Sequence, residues 1–98
     1  MSSKKLVEQL TVTLINNPPR PASGDGEVIF PIGNSPFEAV LKWEKGQVVR
    51  ASSNSSIVNT SDPMTMDINM TTTEGAIVCY KCWVDTDTGA WICLPTAC

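Results

Sequence analysis

Residues 76–98 read AIVCYKCWVDTDTGAWICLPTAC and hold every cysteine of this 98-residue chain. The frame is Cys79-x2-Cys82-x10-Cys93-x4-Cys98. An apolar, β-branched arm, residues 76–84, leads into Asp85-Thr86-Asp87-Thr88-Gly89, a run of turn formers. Residues 90–94 return as a second arm, and Pro95 is expected to stop the pairing. Two such arms around a turn predict an antiparallel hairpin. With the turn centred on Asp87-Thr88, Cys82 falls opposite Cys93. Cross-strand Cβ atoms lie about 4.5–5.5 Å apart, near the roughly 3.5–4.5 Å that a disulfide requires. The chain beyond Pro95 can then bring Cys98 back to Cys79. Nested bridges of this kind would staple the C-terminus, each adding about 2–4 kcal/mol.

Two other uses of the four sulfurs stay open at this point. Cys79 and Cys82 on one side of a hairpin, with Cys93 and Cys98 on the other, resemble a zinc ribbon, in which four thiolates hold one structural Zn²⁺. The pattern departs from that family in two places. Trp83 stands where the knuckle has Gly, and the second pair is spaced by four residues with Pro95 inside it. An unbroken strand would also point Cys79 and Cys82 to opposite faces. The remaining use is four free thiols packed as small apolar groups.

Upstream, further segments read as strands. Phe37, Ala39, Leu41 and Trp43 alternate with Glu38, Val40, Lys42 and Glu44, which predicts a half-buried strand. Glu44-Lys45-Gly46 follows and residues 47–50 resume, a hairpin expected to carry a type I turn closed by a left-handed bulge. Residues 27–32 form a short apolar strand that Pro31 marks as an edge or an end. Met64, Met66, Ile68 and Met70 alternate with polar residues, a face expected to be core. Residues 57–58 give a short strand at best. In residues 6–15, Leu6, Leu10, Val12 and Leu14 share one parity, with Thr11 and Thr13 on the other; a first helical turn over residues 3–9 with Ser3 as cap is open, but the Thr and Val content favours a strand. The prolines at 18, 19 and 21 then impose an extended arm.

The expectation is therefore an all-β chain, a small β-sandwich or barrel of about seven or eight short antiparallel strands with a C-terminal Cys-rich hairpin. It is read as a single β domain, residues 1–98. An N-terminal strand and Pro-rich arm (1–26) precede a β core (27–75) and the hairpin (76–98). With 98 residues, such a domain has a limited core and profits from staples.

Composition narrows the function classes. Ten acidic against seven basic residues give a net charge of −3, which disfavours nucleic acid as a partner. No apolar run approaches the roughly 18–20 residues of a membrane span. The first ten residues lack the apolar stretch of a secretory signal, although disulfides belong to oxidising surroundings. A component that oxidises after leaving a host cell would reconcile the two. Histidine is absent, which removes the commonest general base and the Ser-His and Cys-His pairs. Asp85-x-Asp87-x-Gly89 lacks the further acids of a calcium loop and is read as an ordinary turn. Asn54, Asn59 and Asn69 each open an N-x-[ST] triplet, expected by chance in a Ser/Thr-rich chain. Trp83 and Trp91 are read as a cross-strand packing pair, and with Trp43 as packing more than as an aromatic platform.

These observations lead to a non-enzymatic structural module acting inside an assembly, most concretely a phage capsid-decoration or tail protein. Its expected partners are protein subunits, copies of itself included. The segment bearing Leu6, Leu10, Val12, Leu14, Pro18, Pro19 and Pro21 is expected to add a strand to a neighbour or lie along it. It takes no cofactor, or one structural zinc. An alternative is a zinc-ribbon adaptor or regulator that binds protein or nucleic acid, and a third is a small inhibitor of a host enzyme.

Overall fold

The computed structural model describes residues 3–53, 65–85 and 87–98, and side chains from Val7 onward. The strands at 57–58 and the methionine at 64 lie outside the described residues. The described residues are mostly β: among them one helix, α1 (Ser3–Asn16), precedes β1 (Gly26–Pro31), β2 (Glu38–Glu44), β3 (Gln47–Ser53), β4 (Thr65–Thr71), β5 (Ile77–Val84) and β6 (Trp91–Thr96). All six strands form one open antiparallel sheet in the order β1-β2-β3-β6-β5-β4.

The expected strand at residues 6–15 is a helix. Leu10 and Leu14 are four apart, a spacing that satisfies both period 2 and period 3.6. The residues between them separate the two readings. Val7 is buried with Leu10 and Leu14, whereas Val12 is 57% exposed, and only the helical period does that. The threonines that argued for extension are absorbed by the helix itself. Thr11 Oγ1 donates to the Val7 carbonyl at 2.7 Å and Thr13 Oγ1 to the Gln9 carbonyl at 3.1 Å, the i−4 back-bond open to a Thr in a helix. Asn17 N–H closes the last turn on the Thr13 carbonyl at 3.0 Å, and Pro18-Pro19 then forbids continuation.

This helix, rather than a second sheet, covers the core. A sandwich or barrel needs sheet on sheet, and here α1 supplies the second layer on one face of the six strands. Beneath it lie Ala39, Leu41 and Trp43 of β2, Val48 and Ala51 of β3, and Ile68 and Met70 of β4. Tyr80, Cys82 and Val84 of β5 and Trp91 and Cys93 of β6 complete the layer. The methionine face of β4 is core, as read, with Met66 half-buried beside it.

The β2–β3 hairpin stands where the alternation placed it, with a different turn. Its loop is Lys45-Gly46 alone, Glu44 pairing Gln47, and both loop residues have positive φ, 53° and 78°. That is a type I′ turn, whose twist matches that of the strands. The irregularity sits inside β3 instead, where Lys42 pairs Arg50 and Trp43 pairs Val48. Next to this bulge the Tyr80 hydroxyl reaches from β5 and donates to the Val48 carbonyl at 2.6 Å. Buried Ser53 does similar work for β3 and β6, its Oγ accepting Trp91 N–H at 3.0 Å. Pro95 does not end the last hairpin: Tyr80 pairs Pro95 and Cys79 pairs Thr96.

Candidate functional site

The C-terminal hairpin is closed by two nested disulfides, Cys82–Cys93 and Cys79–Cys98. Cys82 and Cys93 are direct cross-strand partners with Cα atoms 4.0 Å apart. Cys98 comes back to Cys79 with a Cα separation of 5.3 Å. Because β5 is unbroken, Cys82 points under α1 and is fully buried, while Cys79 points to the opposite face. Two sulfurs on opposite faces of one strand cannot share a tetrahedral ion. Among the described residues no group of three or more His, Cys, Asp or Glu is placed to hold a metal.

The same alternation separates the tryptophans. Val84 pairs Trp91 and Trp83 pairs Ile92, so Trp83 and Trp91 lie on opposite faces and are no packing pair. Trp91 is fully buried, as is Trp43, whose Nε1 donates to the Pro19 carbonyl at 3.0 Å. Only Trp83 sits half-buried on the uncovered face.

That face has an order visible only in the register. Ile29 pairs Val40, Val40 pairs Ser52, Ser52 pairs Ile92, Ile92 pairs Trp83 and Trp83 pairs Thr65. One row, apolar at four of these positions, thus crosses all six strands with no layer of described residues over it. Alongside it runs a charged row, with Glu27 paired to Lys42, Lys42 to Arg50, and Asp67 to Lys81. Lys42 Nζ also meets Glu44 at 3.9 Å. Between the rows lies a shallow depression of about 330 Å³ lined by Glu27, Val40, Lys42, Arg50, Ser52 and Ser53.

The residues expected to meet a partner are divided by the fold. Leu10 and Leu14 face the chain's own core, and Val12 faces outward. Pro18, Pro19 and Pro21 are half-buried along the arm that receives Trp43. The side chain of Leu6 lies outside the described residues. Residues 3–16 cannot add a strand to a neighbour while their backbone groups are bonded within a helix.

In the turn after β5 the described residues bond one another. Asp85 Oδ1 accepts Asp87 N–H at 2.8 Å and the Asp85 carbonyl accepts Gly89 N–H at 2.7 Å, an Asx-type turn. Asn69 is exposed on β4, while Asn54 and Asn59 lie outside the described residues. No helix of the described residues is long and apolar enough to cross a membrane. Two disulfides are typical of proteins from oxidising surroundings.

The described residues define a class: an antiparallel sheet covered on one face by helix α1 and stapled at its C-terminal hairpin. No protein-family model, curated protein or solved structure matches the chain.

Proposed function

We propose that the chain is a non-enzymatic structural module of a larger assembly, most concretely a small phage virion component of the capsid-decoration or tail type. It docks on a protein subunit through the uncovered sheet face. The observation that carries this reading is the row Ile29–Val40–Ser52–Ile92–Trp83–Thr65. A two-layer fold ordinarily turns a polar surface to water on its free side. Here a Trp and branched aliphatics occupy it, flanked by charges of both signs, as at the centre and rim of a protein interface. The absence of histidine and the self-bonded turn carboxylate supply no competing chemistry.

The test is incorporation. The chain should be found by mass spectrometry in purified particles from its source, cross-linked through Lys42 or Lys81 to a capsid or tail subunit. Trp83→Glu should abolish incorporation with the fold retained. Particles that lack the chain, or that accept the Trp83→Glu variant as readily, would refute the reading.

A further inference from the structure

The two edges of the sheet are built differently. β1 ends in Pro31, which has no N–H to offer, and begins at Gly26, with φ 119°. Both weaken it as a template for another strand. β4 has none of these protections. Its seven residues, TMDINMT, contain no Pro, Gly or Lys, and no bulge interrupts its pairing with β5. Half of its N–H and C=O groups point away from β5, along an edge beyond which no described strand lies.

We propose that β4 pairs with β4 of a second copy, antiparallel about a two-fold axis through Ile68, making one continuous sheet across the dimer. This deepens the assembly reading and rests on it, naming one of the module's partners as itself. The side-chain pattern of β4 selects the register. Centred on Ile68, all seven residues pair, Thr65 facing Thr71 and Asp67 facing Asn69 of the second copy. A shift that centres the axis on Asp67 would set two carboxylates against each other, which is destabilising. In the Ile68 register the carboxylate meets a carboxamide that can donate to it. On the covered face, Met66, Ile68 and Met70 of each copy become neighbours and join two cores into one layer. Met66, half-buried in the single chain, gains most.

The helix supports the same axis. Thr11 Oγ1 lies 3.5 Å from Met66 Sδ, so that flank of α1 adjoins β4. Glu8, Thr11 and Ile15 stand on one helical row, and Ile15 is 45% exposed. A two-fold perpendicular to the sheet keeps both helices on one face and brings these rows to either side of the junction. The pairing is isologous and closes at two copies. Pairing β4 to β1 would instead be head-to-tail and leave an open chain.

Light scattering on the purified, oxidised full chain across a concentration series, together with two variants at an exposed position, tests the proposal. Wild type should be a dimer. Asn69→Asp faces Asp67 of the second copy twice by symmetry and should weaken dimerisation roughly tenfold, whereas Asn69→Lys should tighten it by a similar factor. A monomer, polymers that grow with concentration, or a dimer indifferent to residue 69 would each overturn the β4 pairing. Incorporation into particles is measured separately. A monomer that still incorporates ends this inference alone, and a dimer never found in particles ends the virion reading alone.

Discussion

The two faces of the sheet are made by the same six strands and differ in what lies over them. Under α1 sit Trp43, Trp91, Tyr80 and the Cys82–Cys93 bridge, all essentially excluded from water. On the other side sit Trp83, Ile29, Ile92 and the Cys79–Cys98 bridge, all at least partly in contact with it. Each face thus carries a tryptophan, branched aliphatics and a disulfide. Residue type alone therefore does not decide role here: the covered face stabilises the fold, and the open face is the one proposed above to dock.

The sharpest way to break this contrast is to truncate one apolar residue on each side. Leu14, fully buried where α1 meets the sheet, should cost about 3–4 kcal/mol as Leu14→Ala, by lost transfer and a residual cavity. Ile29, 62% exposed on the open face, should cost under about 0.5 kcal/mol as Ile29→Ala. Urea denaturation of both variants measures this. Equal costs would mean that the open face is covered after all.

The bridges give an effect at least as large. Chain entropy alone barely separates them. Loops of 11 and 19 residues are worth about 3 kcal/mol each, the wider one ahead by only about 0.5 kcal/mol. Burial reverses that order, because replacing Cys82 and Cys93 with Ala also empties space in the core, for roughly 1–2 kcal/mol more. The inner pair should therefore be the costlier to remove. Titration with dithiothreitol, followed by mass spectrometry, should reduce Cys79–Cys98 first, since Cys98 is exposed. Simultaneous loss of both bridges would contradict the division of the hairpin between two environments.

How much of this was legible beforehand follows the same division. The strands at β2 and β4 were readable because their alternation is strict, and those at β5 and β6 because two apolar arms flank a run of turn formers, which alone set Cys82 opposite Cys93. The helix was not, because Leu10 and Leu14 fit either period and Thr11 and Thr13 have β-branched side chains. Their back-bonds to the Val7 and Gln9 carbonyls form only once the helix exists. The open face was invisible for another reason. Ile29, Val40, Ile92 and Trp83 come from four strands, and only the pairing order β1-β2-β3-β6-β5 puts them in one row. Likewise Trp83 and Trp91 are separated by parity: once the hairpin register is known, they must lie on opposite faces.

Tyr80 sharpens the comparison from the covered side. Burial pushes its phenol up to about 12 from 10, and its hydroxyl donates to Val48. Only the neutral phenol fits that place. Below pH ~10 both folded and unfolded chains keep the proton, so the contribution is whole. Above it the unfolded chain releases the proton and the folded one does not, so stability is lost progressively up to about pH 12, on the order of 2–3 kcal/mol in total. Tyr80→Phe should cost about 1–2 kcal/mol at neutral pH, from the Val48 carbonyl left without its hydroxyl. It should also remove this alkaline loss, as denaturation midpoints between pH 9 and 12 would show. An unchanged alkaline slope would assign the loss to other groups.

A small stability effect is also expected at the residue with the greatest expected consequence for docking. Trp83→Ser takes a large ring off the open face while leaving every residue beneath α1 in place. Its partners there are the neighbours Ile92 and Thr65, and such cross-strand pairs contribute only about 0.2–1 kcal/mol each. Stability should therefore fall by less than about 1 kcal/mol, against about 3–5 kcal/mol for truncating buried Trp91 to Ala. If the row is an interface centre, an aromatic anchor there should carry at least about 2 kcal/mol of docking energy. The ratio of the two losses is the informative quantity. A Trp83 that matters to stability as much as Trp91 does would make the open face a second core, and the molecule half of something larger in a sense this contrast excludes.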